Sequence, residues 1–276
     1  MLKEMSKVYN EDYAIGINNL YESYGEFVDV VITSPPYAEQ RKHQYGGIKA
    51  KDYPQWTLDW FDSVGKVLKD EGSIFFNIRP NIKGGEVSDY VEKTITLLRE
   101  NGWILCETII WIKPDCPPLG STRRPRRSWE YVYWFSRSGK PNSTPKNGGK
   151  PSNRIGFENS KFEQGNKSHI HAGQNDSKIG IARVQDIIIA GTGNVEKGFS
   201  HSAMFPPDIP EYCINLTCPE DGIVLDPFMG SGTTMRQSMR MKKGFVGFDT
   251  DEVAYEEAFN SLELLSKEFS TKWNQD

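Results

Sequence analysis

The sequence predicts an α/β fold built on a largely parallel sheet, interrupted by a loop-rich insert. Three observations carry this reading. Short runs rich in β-branched residues, such as FVDVVIT at 27–33, are too apolar to face water on either side, the mark of a central parallel strand. Segments with apolar residues at helical spacing alternate with those runs. The alternation stops near residue 137 and resumes at residue 222.

Taken in order, residues 13–24 are a short helix and 27–33 the first strand. Trp60, Val64, Val67 and Leu68 mark a helix over 53–69, which the glycine of KDEG (69–72) is expected to stop. SIFFNI (73–78) is the second strand. Val87, Tyr90, Val91, Ile95 and Leu98 mark the next helix, closed by Asn101-Gly102. Residues 103–112 and 130–135 are the third and fourth strands. Strands separated by helices imply βαβ crossovers and a parallel sheet. From 138 to 200 the chain is rich in Gly, Asn, Ser, Lys and Pro and reads as loop, apart from a short element over 184–190. A strand (222–226), a helix from Thr233, a strand (245–248) and a last helix from Glu252 to Phe269 follow. That last helix carries Tyr255, Ala258, Phe259, Leu262 and Leu265 on one face. The expected plan is therefore 1–137 as one half of a domain, 138–200 as an insert and 201–276 as the other half.

The 276 residues suffice for one large α/β domain with an insertion. No apolar run is long enough to span a membrane. MLKEMSKVYN lacks the apolar core of a signal peptide. Cys106, Cys116, Cys213 and Cys218 form no C-x-x-C pair and read as reduced thiols, so a cytoplasmic location is expected. His169-x-His171 has no carboxylate or cysteine at a supporting spacing, and no metal is expected there. The net charge is −4, yet residues 113–183 hold 14 Lys and Arg against 5 Asp and Glu. A basic middle in an acidic chain fits either a solvated loop or contact with a phosphate backbone.

LDPFMGSGTT (225–234) lies between a strand and a helix, where an open parallel sheet binds cofactors. Gly230 and Gly232 let the backbone approach a ligand closely. Asp249, seventeen residues after Gly232, ends the next strand and can accept hydrogen bonds from ribose hydroxyls. The loop is not G-x-x-x-x-G-K-[ST], and Met235 stands where a dinucleotide loop has its third glycine. A cofactor with one ribose and no phosphates fits: S-adenosyl-L-methionine.

The first strand ends in Thr33-Ser34-Pro35-Pro36-Tyr37. Two prolines there cannot extend a ladder, because they have no N–H to donate. TSPPY together with DPFMGSGTT resembles the amino-methyltransferase family of DNA methyltransferases, which modify exocyclic nitrogens. The catalytic motif precedes the cofactor loop, with the basic segment between them. That order is similar to the permuted beta group of the family, which has a Rossmann-like sheet and a target-recognition region between its halves. The resemblance covers residues 8–136 and 201–268. It implies catalytic roles for Ser34, Pro35, Pro36 and Tyr37. By the same resemblance Asp226, Pro227, Phe228, Gly230, Gly232, Thr233 and Asp249 hold the cofactor. VYNEDY (8–13) resembles a segment whose acidic residue, here Asp12, lies near the adenine. HSAMFPPDIPEYCINL (201–216) resembles the segment near the methionine end, which brings in Ser202, Met204 and Phe205. Trp129 departs from the histidine that many members have at that place.

The chemistry agrees with the motif. An exocyclic amino nitrogen is a poor nucleophile because its lone pair is delocalised into the ring. Acceptors aimed at its N–H bonds favour the reactive geometry, and Ser34 Oγ with the Pro35 carbonyl suits that role. The base must first leave the duplex, and Tyr37 can stack on it. Arg41 and Lys42 follow the catalytic loop, and Arg123, Arg124, Arg126 and Arg127 precede the fourth strand; contacts to double-stranded DNA are expected from both groups. In this family S-P-P-Y is associated with cytosine N4 and D-P-P-Y with adenine N6, so cytosine N4 is expected. An adenine-N6 enzyme, an RNA methyltransferase and a non-catalytic DNA-binding relative are the rivals. The chain has no Pro-Cys, which argues against methylation at cytosine C5. The resemblance also implies a restriction–modification setting; whether a cognate restriction endonuclease accompanies the enzyme is left open, and no nuclease motif is evident in this chain. Oligomeric state is left open.

Overall fold

The computed structural model describes residues 6–39, 47–116, 123–144, 151–152, 180–181, 183–192 and 205–272. In chain order the elements are β1 (Lys7–Tyr9), α1 (Tyr13–Tyr24), β2 (Val28–Thr33), α2 (Tyr53–Gly65), β3 (Leu68–Ile78), β4 (Ile82–Lys83), β5 (Glu86–Val87), α3 (Tyr90–Glu100) and β6 (Ile104–Ile112). They continue with β7 (Trp129–Ser136), β8 (Pro151–Ser152), β9 (Gly180–Ile181), β10 (Ile187–Ile189), α4 (Asp208–Thr217), β11 (Ile223–Asp226), α5 (Thr233–Arg240), β12 (Gly244–Phe248) and α6 (Glu252–Lys272).

The main sheet has the order β1-β12-β11-β2-β3-β7-β6-β10. Every neighbouring pair is parallel except those made by β7, which runs against both β3 and β6. The sheet is therefore largely parallel, as expected, with β7 as the one reversed strand. No helix was expected between β6 and β7, and antiparallel neighbours need no crossover. Ile187–Ile189, from the segment expected to be mostly loop, adds the outer strand beside β6.

β11, from the end of the chain, pairs with β2, from its start (Val224↔Val30, Leu225↔Val31). One continuous sheet results, with a core on each face. Val31, Ile74 and Phe76 pack with Trp60 and Phe61 of α2 on one side. Val30, Ile32 and Phe75 pack with Met235 and Met239 of α5 and Ile209 and Ile214 of α4 on the other. Burial on both faces explains why these strands read as unbroken apolar runs. The connection from β2 moves along the sheet one way and that from β11 the other. Their carboxyl ends thus form a switch point, the crevice where such sheets bind ligands.

Two local expectations are corrected. KDEG does not stop a helix: α2 already ends at Gly65, and β3 begins at Leu68. The register jumps from Val28↔Leu68 to Val30↔Ser73, so Lys69, Asp70 and Glu71 bulge into solvent. A Cβ on Gly72 would lie 2.5 Å from Leu68 Cδ1, which is why glycine sits at this bulge. Val87 is not in a helix but in the small β4–β5 ribbon, and it is exposed.

α1 meets β12 at Gly16, where a Cβ would stand 2.0 Å from the ring of Phe248. That ring is fully buried and stacks on Tyr9 with centroids 5.1 Å apart, so it has nowhere to go. Gly16→Ala should lower stability by about 1–3 kcal/mol through overpacking, read as a lower urea midpoint at unchanged slope.

Candidate active site

β2 ends at Thr33, and the prolines turn the chain over the carboxyl edge of the sheet. Pro35 is buried, while Ser34, Pro36 and Tyr37 are half-buried. Tyr37 packs on the α2-side core and points its hydroxyl inward. That hydroxyl lies 2.6 Å from Glu130 Oε2 and 3.1 Å from Asn77 Oδ1. Burial, and then the Glu130 carboxylate, push the phenol well above its ordinary pKa. The aromatic ring expected to face a base is thus fixed at its polar tip.

Glu130 opens β7 and is 6% exposed. Its other oxygen accepts from Lys113 Nζ, which is buried at the end of β6, and Arg79 lies 3.7 Å away. Lys113 also sits 4.0 Å above the Trp111 ring. Glu130, Lys113, Asn77 and Arg79 were not expected in the site. The available signals were a polar residue inside SIFFNI and charged residues flanking the apolar runs IIWI (109–112) and YVYWF (131–135), because such residues are rarely buried without partners.

The glycine loop follows β11. Asp226 lies beneath it, fully buried, with Oδ1 accepting from Thr33 Oγ1 at 2.7 Å and from the Phe228 N–H at 3.1 Å. Its Oδ2 accepts from Thr234 Oγ1 at 2.7 Å. Asp226 therefore ties the end of β2 to the loop and to the start of α5, and its own part is to hold the loop. Burial pushes its carboxyl up to about 6, against the opposing pull of the two threonine hydroxyls. Pro227 is buried, whereas Phe228 and Gly230 are half-buried. Phe228 packs edge-on against Tyr13 and Trp60, bringing the loop against α1 and α2. Gly230 and Gly232 have φ of 54° and 88°, the left-handed region that glycine tolerates. Thr233 begins α5 and is buried.

Asp249 follows β12. Its Oδ2 accepts from the Gly230 N–H at 2.9 Å and its Oδ1 from the Asp251 N–H at 2.8 Å. Asn10 donates to the Asp249 carbonyl at 3.1 Å, so the end of β1 joins the same cluster. Asp12 caps α1, accepting from the Ala14 N–H at 2.8 Å, and is exposed. Phe205 is buried in the core on the α4–α5 side. Ser202, Met204, Arg41 and Lys42 lie outside the described residues, as does the His169–His171 pair.

Arg123, Arg124 and Arg126 are exposed before β7, and Arg127 is half-buried. Arg124 donates to the Gly85 carbonyl, Arg127 to the Pro80 carbonyl and Arg126 to the Cys116 carbonyl at 3.2 Å. These bonds tie a cationic segment to the loops that follow β3 and β6, on the edge that carries Glu130. No helix among the described residues is long and apolar enough to cross a membrane.

The chain is similar in sequence to the type II methyltransferase M.SmaI of Serratia marcescens, 27% identical over 82% of this chain and 81% of that protein. It is similar to M.PvuII of Proteus hauseri at 26%, over 83% and 76%. Its fold matches the PvuII DNA methyltransferase (cytosine-N4-specific) with a TM-score of 0.69 at 22% identity, covering 98% of this chain and 93% of that one. It also matches the M1.HpyAVI–SAM complex with a TM-score of 0.63 at 20% identity, over 94% and 99%. The DNA methylase family model matches residues 28–260, from β2 through the glycine loop into α6, and the chain belongs to this N6/N4 DNA methylase family.

Proposed function

We propose that this DNA methylase transfers a methyl group from S-adenosyl-L-methionine to the exocyclic N4 of a cytosine flipped out of double-stranded DNA. The observation that carries the reading is the 2.7 Å bond between Thr33 and Asp226, which joins the SPPY turn to the glycine loop at the switch point. A nucleophile-holding turn and a nucleoside-holding loop are thereby locked side by side, and direct transfer needs that positioning.

The residues fit the cofactor. Gly230 and Gly232 shape a turn without side chains, and half-exposed Phe228 offers an aromatic edge beside it. Asp249 ends β12 beside the glycine loop, where its carboxylate accepts the Gly230 N–H, and a carboxylate at that place suits a ribose hydroxyl. When bound, the cofactor supplies a sulfonium methyl. Ser34 Oγ and the Pro35 carbonyl accept the N–H bonds of the target amino group, and the prolines hold that carbonyl still. Tyr37 stacks on the base. Arg123, Arg124 and Arg126 contact phosphates, and the segment 138–200 reads the recognition sequence.

The choice of cytosine is supported by Ser34 in the first place of the motif and by the cytosine-N4 specificity of the PvuII relative. Adenine N6 is the second reading, favoured by the nearly identical amidine edge of the two bases. Nucleoside analysis of DNA methylated by the purified protein decides between them: N4-methylcytosine is expected, and N6-methyladenine alone would replace the first reading with the second.

Ser34→Ala should lower single-turnover methyl transfer about 100-fold while cofactor affinity stays within a few-fold. Asp249→Ala should do the reverse, weakening cofactor binding about 10-fold or more. Calorimetric titration with the cofactor, alongside quenched-flow methylation, checks both. Equal loss of affinity in the two variants would sink the division into a base half-site and a cofactor half-site.

A further inference from the structure

We propose that Ile82 and Val87, side by side on the open face of the β4–β5 ribbon, are an apolar wedge that enters the DNA stack beside the target base and holds the duplex open. The inference rests on the reading of the SPPY turn as the place that receives a flipped base.

The ribbon stands next to that turn. Asn81 Nδ2 donates to the Ala38 carbonyl at 3.3 Å, and Lys83 Nζ lies 2.9 Å from Glu39 Oε1; Ala38 and Glu39 directly follow Tyr37. Side chains alternate along a strand, so Asn81 and Lys83 share the face turned to those residues and Ile82 takes the other. Val87 is paired directly across from Ile82 and shares its face. The Ser88 N–H donates to the Asn81 carbonyl at 2.9 Å, so the next pair, Ile82 with Val87, is the non-bonded kind whose side chains stand closest. Both are exposed, at 38% and 48%. A ribbon this short does not hold itself together in water. Here it is clamped at both ends. Gly84 and Gly85 make its tight turn with φ of 59° and 86°, Arg124 donates to the Gly85 carbonyl, and Arg127 donates to the Pro80 carbonyl. The same segment presents Arg123, Arg124 and Arg126 at the surface, so the apolar pair has a cationic border. Cations suit phosphates, and small branched aliphatics suit the gap between two base steps; the combination is what a protein needs to part a DNA stack. A second copy docked through this face about a two-fold axis would instead set the arginine segment against its own like charge.

The test uses the double variant Ile82→Thr with Val87→Thr, which keeps β-branching, and with it the ribbon, while putting hydroxyls in place of apolar surface. A duplex carrying the methylated sequence, with 2-aminopurine beside the target base, is bound by saturating concentrations of each protein in the presence of S-adenosyl-L-homocysteine. Emission of the probe rises when its neighbour leaves the stack. The ratio of flipped to stacked target should fall about 10-fold in the double variant. Removing the base opposite the target lowers the cost of opening and should return the variant to the wild-type emission. Emission from the fully paired duplex equal to that of wild type overturns the inference, whether or not affinity has changed, because a phosphate contact or a merely structural role acts on affinity and leaves the saturated complex flipped. A changed sedimentation coefficient of the free protein with flipping intact would assign the pair to contact with a second copy and overturn it as well. A wild-type protein that methylates no DNA would instead overturn the functional reading on which the wedge rests.

Discussion

Asp226→Ala should destabilise the protein by roughly 4 kcal/mol, because it strands buried donors from three parts of the chain. The Thr33 hydroxyl, the Thr234 hydroxyl and the Phe228 N–H all lose their acceptor at once. Each lies where water does not reach freely, so the cost is desolvation rather than the modest net worth of an exposed bond. Asp226→Asn keeps the shape and isolates the charge. Folding raises this carboxyl from an ordinary 3.8 to about 6, chiefly by burial. A raised value means that the folded protein favours the protonated form. The contribution is full below the unfolded value and is lost as pH rises through about 6. Between pH 4 and pH 7 wild type should therefore lose about 2 kcal/mol relative to Asp226→Asn. Urea midpoints at the two pH values measure this directly, and parallel pH curves for the two proteins would show that Asp226 does not titrate as its surroundings dictate.

The same residue shows what a sequence discloses and what it hides. DPFMGSG is legible because glycines between a strand and a helix do something local: Gly230 and Gly232 take positive φ, and neighbouring residues are enough to show it. β2, β11 and β12 are legible for a similar reason, since burial on both faces leaves an unbroken apolar run. The partner of Asp226 is not legible. Thr33 lies 193 residues away, and nothing near either residue announces the other. Glu130 is hidden in the same way, 93 residues from Tyr37. Gly72 misled for a different reason. Glycine serves helix ends and strand bulges equally, and only the pairing of β3 with β2 shows which use applies. The reversed β7 was half legible: two strand-like runs without a helix between them allow a hairpin-like return, although the alternating pattern elsewhere favours parallel strands.

Glu130→Ala should cost about 3–5 kcal/mol, because it leaves the Lys113 ammonium buried without its counter-charge. The Trp111 face 4.0 Å below Lys113 offsets only part of that loss. Lys113→Met alone should cost less, since Arg79 remains 3.7 Å from the carboxylate and Tyr37 still donates to it. The double variant Lys113→Met with Glu130→Gln should regain most of the stability lost in Glu130→Ala, as buried ion pairs exchanged for matched neutral groups commonly do. Urea unfolding of the two single variants, Lys113→Met and Glu130→Gln, and of the double gives the coupling between the two positions. A double variant no more stable than the Glu130→Gln single would mean that the stranded ammonium is not what destabilises the site. A double variant that folds well shows that the ion pair is not required for folding. What the pair then does is hold an acceptor-only oxygen 2.6 Å from the Tyr37 hydroxyl, which fixes the polar tip of the ring beside the SPPY turn.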